Sequence, residues 1–194
     1  EAGTPLIADP GYEMGRAVIE AGLPVTTAPG ASAVLAALTV SGLPTDRFAF
    51  VGFLPSSKQQ RETEIAQLRD TPFTLVFYES PKRVSAMLNS LRDVLGGDRQ
   101  AVVCRELTKK FEETQRGSLD ELVAEFDART VKGELVVLVG RAGATDVAEV
   151  DVETALRDAM KTMRVKDAAT VVAGALGLPR RQVYQMALSL GDDD

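Results

Sequence analysis

The sequence contains no histidine and no tryptophan, and it has one cysteine among its 194 residues. Without histidine, neither a Ser-His-Asp relay nor the usual zinc sites can be built. General acid-base chemistry must therefore use carboxylates, lysine or tyrosine. The single cysteine, Cys104, cannot form an internal disulfide, and its apolar neighbours predict a buried thiol. This cysteine usage is typical of a cytoplasmic protein.

Long apolar runs and a net positive charge are also missing. No apolar run approaches the roughly 20 residues that cross a bilayer, so we predict no membrane association. The formal net charge of −6 argues against a protein that binds nucleic acid over its whole surface. A local basic patch remains compatible with that charge.

Two loops rich in glycine and proline lie near the start of the chain. The first covers residues 1–11 and the second covers residues 28–32, and a helical pattern follows each loop. Glycine allows a close backbone approach, proline stiffens the loop, and a helix start offers free N–H groups. With residues 24–27 as a strand, the pattern predicts neighbouring parallel strands and a ligand crevice at their ends. No strand precedes the first loop, so we expect a longer natural protein with a further N-terminal portion.

The rest of the chain first alternates strands with helices and then becomes purely helical. The alternation predicts an α/β architecture. The predicted strands are residues 48–53, 74–78, 100–105 and 134–140, with an extended piece at 112–116. The predicted helices of this part are residues 58–69, 81–95 and 118–128, the last capped by Ser118. Small and polar residues at 141–150 predict a linker before helices at 151–163, 166–176 and 179–190.

The last two predicted helices have the spacing of a helix-turn-helix, which often binds nucleic acid. Arg180 and Arg181 begin the final helix and are its candidates for contact. The tail from Asp151 carries six basic against seven acidic residues, so no strong field supports binding. A plain helical hairpin, packed on the preceding domain or forming a homodimer interface, is an equally good interpretation.

The central segment holds the charges that are best placed for chemistry. Residues 82–116 contain eight lysines and arginines against five acidic residues, a local excess of +3. Several of these charges directly follow predicted strands, where an α/β protein keeps its site. The sequence therefore predicts a cleft that faces a polyanion and contains Glu79, Glu106 and Glu112.

Taken in order, these segments resemble a known family. The segments are residues 1–11, 28–32, 41–46, 52–55, 78–83, 105–109 and 132–134. Together they resemble the ribosomal RNA small subunit methyltransferase I family, a branch of the tetrapyrrole methylase superfamily. The tail at residues 166–169 and 183–184 is similar to that family's C-terminal extension. Glu1 and Lys82 depart from the family, which usually has Asp and His there.

The resemblance implies methyl transfer from S-adenosylmethionine to the ribose 2'-hydroxyl of a cytidine in 16S rRNA of the small ribosomal subunit. It implies a tetrapyrrole-methylase-like fold of two α/β domains with the cofactor between them. By this resemblance, residues 1–45 are a remnant of the first domain, 46–142 the second, 143–150 a linker and 151–194 a three-helix extension. The implied cofactor residues are Ala2, Gly3, Thr4, Pro5, Pro29, Gly30, Ala31 and Ser32. The family's first strand and loop are not in this sequence, so we expect the chain alone to be inactive.

Methyl transfer from a sulfonium requires a hydroxyl held against the methyl carbon and a group that accepts its proton. No metal is required. The candidates for proton acceptance or orientation are Glu79 and Glu106, and the sequence does not choose between them. The candidates for contact with the RNA backbone are Arg83, Arg105 and Lys109.

Three other functions stay open on the sequence alone. A tetrapyrrole methyltransferase of the same fold would share both glycine-proline loops but has little use for the basic segment or the tail. A non-catalytic nucleic-acid-binding protein could work through the tail alone, although the acidic and basic residues after the central strands count against it. A nucleotide hydrolase is disfavoured because the sequence has no P-loop motif.

Overall fold

The computed structural model describes residues 4–28, 30–142, 149–176, 178 and 180–191. The chain divides into two compact units, Glu1–Ala142 and Gly143–Asp194. The helices described in the first unit are α1 (Tyr12–Glu20), α2 (Ala33–Ser41), α3 (Lys58–Gln67), α4 (Val84–Leu95) and α5 (Leu119–Asp127). Its strands are β1 (Phe48–Phe53), β2 (Thr74–Glu79), β3 (Gln100–Arg105), β4 (Glu113–Ser118) and β5 (Leu135–Val139).

The five strands form one mixed sheet in the order β1-β2-β5-β3-β4. β1 and β2 are parallel, and the other three neighbouring pairs are antiparallel. The carboxyl ends of β1, β2 and β3 therefore lie along one edge, beside the amino ends of β4 and β5. Leu135, the first residue of β5, pairs with Glu79 on one side and with Arg105 on the other. This edge thus collects the residues that follow or end three separate strands.

Alternate residues of the sheet face two different cores, as the two-residue period of a strand requires. On one face the strands pack against α3, α4 and α5, around buried residues such as Phe77, Val103 and Leu88. On the other face Val76 and Leu138 are in the core that contains α2. β5 is the central strand of the sheet and is buried along its whole length. Cys104 is a buried free thiol on the α2 side, as predicted.

The predicted cap of α5 is present as a complete capping box. The hydroxyl of Ser118 accepts a hydrogen bond from the Glu121 backbone N–H at 3.2 Å, and the Glu121 carboxylate accepts one from the Ser118 backbone N–H at 2.8 Å. Both bonds satisfy N–H groups that a helix start otherwise leaves unpaired.

We expect Ser118→Ala to lower the free energy of unfolding by about 1 kcal/mol, because one capping bond is lost. Ser57 is the matched control, since it precedes α3 without making a side-chain cap bond. Urea denaturation of both variants measures the difference. Equal losses for Ser118→Ala and Ser57→Ala would contradict the role of the capping box.

The second unit consists of α6 (Glu149–Met160), α7 (Val165–Leu176) and α8 (Arg180–Gly191). Their core contains Leu156, Ala169, Val172, Val183 and Ala187. Among the described residues, no helix is long and apolar enough to cross a membrane.

Three predicted elements differ from the structure. Residues 24–27 form no strand, because no described strand lies beside them to complete their hydrogen bonds. α4 begins at Val84 instead of residue 81, because the N–H groups of Arg83 and Val84 both bond to the Ser80 carbonyl in a tight turn. α6 begins at Glu149, inside the predicted linker, whose residues 143–148 lie outside the described part of the chain.

Candidate active site

A cleft of about 480 Å³ lies at the edge where β1 and β2 end. The first glycine-proline loop and the start of α2 contribute residues to its lining. The ends of β1 and β2 and the start of β5 contribute the others. The lining residues are Thr4, Ile7, Ala8, Asp9, Ser32, Ala33, Phe53, Tyr78, Glu79, Ser80, Pro81, Gly133, Glu134, Leu135 and Val136.

The two glycine-proline loops are in contact, although the predicted strand between them is absent. The Thr4 hydroxyl donates a hydrogen bond to the Ala31 carbonyl at 3.1 Å. Ser32 caps α2 by accepting a bond from the Leu35 N–H at 3.5 Å, which places the start of this helix at the cleft. Leu6 and Ala8 have φ angles of 72° and 55°. Such left-handed residues are strained, and strain of this kind concentrates at ligand-binding loops.

The predicted cofactor residues divide into three groups. Thr4 and Ser32 line the cleft. Three exposed residues belong to the same two loops without being among its lining residues: Pro5, Gly30 and Ala31. The other three lie outside the described residues: Ala2, Gly3 and Pro29.

Glu79 is the last residue of β2, and its side chain is only 1% exposed. Its Oε1 accepts a hydrogen bond from the Ser80 N–H at 2.7 Å. Its Oε2 lies 3.3 Å from Nη2 of Arg83, but that nitrogen donates to the Leu54 carbonyl at 2.5 Å. Within the described part of the chain, Oε2 has no hydrogen-bond partner. A buried carboxylate oxygen without a partner is unfavourable unless a ligand group completes it.

Glu106 lies beside the cleft and has a different environment. It follows β3 in a left-handed conformation with φ 49°. Its Oε1 accepts hydrogen bonds from the Glu134 N–H and from the Lys109 Nζ, both at 2.9 Å. The bond from Glu134 and the neighbouring ammonium hold the pKa of the Glu106 carboxyl below its ordinary value. Glu106 is therefore a weak base whose side chain fastens residue 134, and residue 134 lines the cleft.

The contact between Glu106 and residue 134 requires a glycine at position 133. Its φ is 98°, and a Cβ there would lie 2.5 Å from carboxylate atoms of Glu106. Lys109 closes the arrangement, because its Nζ also lies 2.9 Å from the Glu134 Oε2. The segment from 133 to 134 is thus held against the end of β3 by contacts from two directions.

The predicted RNA-binding residues of the first unit make contacts within the protein. Arg83 contacts Leu54 and Glu79, as described above. Arg105 Nε donates to Glu113 Oε2 at 2.8 Å, and Lys109 is paired with two carboxylates. These contacts give all three residues a role in positioning the strand ends, whether or not they also meet phosphate.

The two arginines of the tail lie at the start of α8. Both side chains are exposed, and Arg180 Nε donates a hydrogen bond to the Thr170 hydroxyl at 3.0 Å. The geometry makes Arg181 the freer of the two for contact with another molecule. The RNA-binding role of both stays a prediction.

Sequence reasoning did not single out several residues that line the cleft. Asp9 and Glu134 bring carboxylates to it, and Phe53 and Tyr78 bring aromatic rings. Burial raises the pKa of the Tyr78 hydroxyl, so this group stays neutral at physiological pH. Both aromatic residues lie near the carboxyl ends of strands and within segments 52–55 and 78–83, which carry the family resemblance. That position was the signal in the sequence that could have identified them as lining residues.

Comparison with known proteins decides the family. Residues 1–123 match the family described as tetrapyrrole (corrin/porphyrin) methylases, and residues 146–191 match the RsmI C-terminal HTH domain. The chain is 42% identical to ribosomal RNA small subunit methyltransferase I of Vibrio cholerae, over 99% of this chain and 68% of that protein. The Synechocystis protein of the same name is 40% identical, over 100% of this chain and 71% of that protein. The chain belongs to the ribosomal RNA small subunit methyltransferase I family.

The family resemblance drawn from the sequence is thereby confirmed. Another member, from Mycobacterium tuberculosis, is 47% identical over 97% of this chain, and the chain spans 66% of that protein's length. Solved structures agree on the fold. The methyltransferase CobJ matches with a TM-score of 0.56 at 22% identity, covering 73% of this chain and 63% of that chain. A putative diphthine synthase from Entamoeba histolytica matches with a TM-score of 0.55 at 16% identity, covering 78% and 68%.

Proposed function

We propose that the full-length protein transfers a methyl group from S-adenosylmethionine to the ribose 2'-hydroxyl of a cytidine in 16S rRNA. The observation that carries this proposal is the buried carboxylate of Glu79 in a cleft that the cofactor loops also line. Its Oε2 is ion-paired with Arg83 but has no hydrogen-bond partner among the described residues. The names of the relatives supply the substrate class. We place the reaction in the cytoplasm, with the small ribosomal subunit as the partner.

The cleft fits the cofactor in size and in chemistry. Its volume of about 480 Å³ lies within the range of roughly 300–1,000 Å³ that is usual for small-molecule sites. Small side chains in the loops allow a ligand to approach the backbone closely. The start of α2 provides backbone N–H groups that are free to donate hydrogen bonds. Thr4 and Ser32 are the described residues of the predicted set that would hold it. S-adenosylmethionine, when bound, supplies an electrophilic methyl group on a positively charged sulfur.

Glu79 is the residue best placed to orient the hydroxyl or to accept its proton. Its backbone is fixed at the end of β2. The Ser80 N–H donates a hydrogen bond to Oε1, and Arg83 forms an ion pair with Oε2 at 3.3 Å without donating a hydrogen bond to it. A carboxylate held in this way requires little rearrangement when a hydroxyl arrives. The structure therefore favours Glu79 over Glu106 for contact with the reacting atoms.

Glu106 acts on the same site as a positioning residue in this proposal. Both hydrogen bonds to its Oε1 come from groups within the protein, and one of them fixes Glu134 at the rim of the cleft. The lowered pKa of the Glu106 carboxyl also makes it a poor proton acceptor. Arg83, Arg105 and Lys109 remain candidates for RNA contact at the mouth of this edge, in addition to their contacts within the protein.

A tetrapyrrole methyltransferase is the competing activity of the same fold. The match of the tail to the RsmI C-terminal HTH domain favours RNA instead. The tail then either docks the ribosomal substrate or forms a dimer interface, and both remain predictions.

The choice of acceptor tests the proposed function. We expect the full-length protein to transfer labelled methyl from S-adenosylmethionine to small-subunit RNA and to leave a uroporphyrinogen-type tetrapyrrole unlabelled. Small subunits in which the same site is already methylated should not take up the label. Labelling of the tetrapyrrole, or of no RNA at all, would contradict the proposal.

A further inference from the structure

The end of β1 contains an irregularity that changes where its side chains point. Phe50 pairs with Val76 of β2, but the next pair is Gly52 with Phe77, so one residue is skipped. Gly52 has a φ of 84°, and a Cβ built on it would meet nothing within 4 Å. Glycine is therefore needed here for its backbone conformation and not for space. This arrangement is a β-bulge, which re-aims the side chains that follow it.

The bulge brings two phenylalanines of β1 to one tyrosine of β2. In a regular strand, residues 50 and 53 would point to opposite faces, because side chains alternate. In this structure both rings contact Tyr78, with ring centroids 4.9 Å away for Phe50 and 5.7 Å away for Phe53. Both contacts are edge-on, with interplanar angles of 65° and 64°. Tyr78 therefore contacts both rings and packs edge-on against Phe53.

Phe53 lines the cleft although it is 55% exposed. Phe50, the other phenylalanine in contact with Tyr78, packs against the core that contains α2. The bulge therefore takes a large apolar ring out of regular alternation and presents it at the cleft beside Glu79. An exposed aromatic ring that lines a cleft is a feature of ligand-binding sites.

We propose that Phe53 is the stacking platform for an unpaired base of the RNA substrate. This inference rests on the proposed function. Unpaired bases are commonly bound by stacking on aromatic side chains, and stacking tolerates any base because each has a flat face. A nucleotide whose base stacks on Phe53 lies in the same cleft as the Glu79 carboxylate. Thr4 and Ser32, from the two cofactor loops, also line this cleft.

Steady-state kinetics of Phe53→Ala in the full-length protein test this role. We expect KM for small-subunit RNA to rise about 10- to 100-fold, since one stacked base is lost. The Kd for S-adenosylmethionine should stay unchanged, and Phe53→Trp should restore RNA binding. Phe48→Ala is the matched control, because Phe48 is on the same strand and 41% exposed but lies outside the cleft. It should leave both constants unchanged.

The outcomes separate the inference from the proposed function. Wild-type protein that methylates RNA while Phe53→Ala keeps the wild-type KM overturns the stacking role alone. A rise in the Kd for S-adenosylmethionine equal to the rise in KM also overturns it, because the ring then serves the cofactor. Wild-type protein that does not methylate RNA overturns the proposed function instead. Gly52→Ala adds a second readout: it should raise KM for RNA as well, and a Gly52→Ala protein that is folded with an unchanged KM would count against the bulge.

Discussion

Glu79→Gln in the full-length protein is expected to lower kcat about 10²- to 10⁴-fold, the range of a general base or of a group that orients a reacting hydroxyl. Glutamine keeps the shape of the side chain, so the bond from the Ser80 N–H can persist. The change removes the charge of a carboxylate that lines the cleft, and this charge is expected to act mainly in the transition state. Single-turnover methyl transfer with saturating RNA and cofactor measures the effect.

Glu106→Gln is the matched control for this experiment. Glu106 follows β3 and is not among the cleft-lining residues, and its Oε1 accepts hydrogen bonds from Lys109 and Glu134. We expect its kcat to stay within several-fold of the wild type. A Glu79→Gln protein that melts like the wild type and keeps its kcat would show that Glu79 is structural. A loss confined to Glu106→Gln would reverse the two roles.

Glu113→Gln is expected to lower the free energy of unfolding at pH 7 by about 1–3 kcal/mol. Glu113 begins β4 and is paired with Arg105 at 2.8 Å and with Arg129 at 2.6 Å. Burial raises the pKa of its carboxyl, but hydrogen bonds from Gln115, Arg129 and Arg105 outweigh burial and bring the pKa to about 2. Its side chain is 20% exposed, so solvent screens these pairs only in part.

The direction of the pH dependence follows from that depressed pKa. The folded protein holds the Glu113 proton less tightly than the unfolded chain, whose pKa is near 4.5. The stabilisation is therefore fully present above about pH 4.5 and is lost as the pH falls toward 2. Urea denaturation at several pH values should show that the difference in free energy of unfolding between wild type and Glu113→Gln becomes smaller as the pH falls. Glu62→Gln, which removes an exposed pair with Lys58 at 3.5 Å, should change stability little at any pH.

If wild type and Glu113→Gln have the same free energy of unfolding at pH 7, or if the difference grows as the pH falls, this account of Glu113 is contradicted. The pair matters for the site because Arg105 is the last residue of β3. Its position is set by Glu113 on one side and by a hydrogen bond from Nη1 to the Lys132 carbonyl at 3.3 Å on the other.

The sequence predicted the parts of the fold that depend on local patterns. The strands that end near Glu79 and at Arg105 follow from short β-rich runs, and Ser118 follows from helix capping. The site could be located at strand ends because the charged residues come directly after those runs. The α/β class and the three-helix tail follow from the change in periodicity along the chain.

Features that depend on distant residues could not be predicted in this way. β5 is inserted between β2 and β3, although it is the last of the five strands in the chain. The contact of Glu106 with Glu134 joins residues 28 positions apart, so neither position alone signals it. The predicted strand at 24–27 was wrong because an apolar run forms a strand only where a partner strand is available. The bulge at Gly52 was missed because its effect appears only in the pairing with β2.

Nucleoside analysis of 16S rRNA after reaction with the full-length protein tests the central claim most directly. Small subunits that lack the modification are incubated with protein and labelled S-adenosylmethionine. The RNA is then digested, and the labelled products are identified by mass spectrometry. The account predicts one labelled nucleoside, 2'-O-methylcytidine, resistant to alkali as part of a dinucleotide, with its rate of formation strongly reduced by Glu79→Gln. Label on a base, or 2'-O-methylation that proceeds equally well with Glu79→Gln, would contradict the assignment of this cleft as the site of methyl transfer.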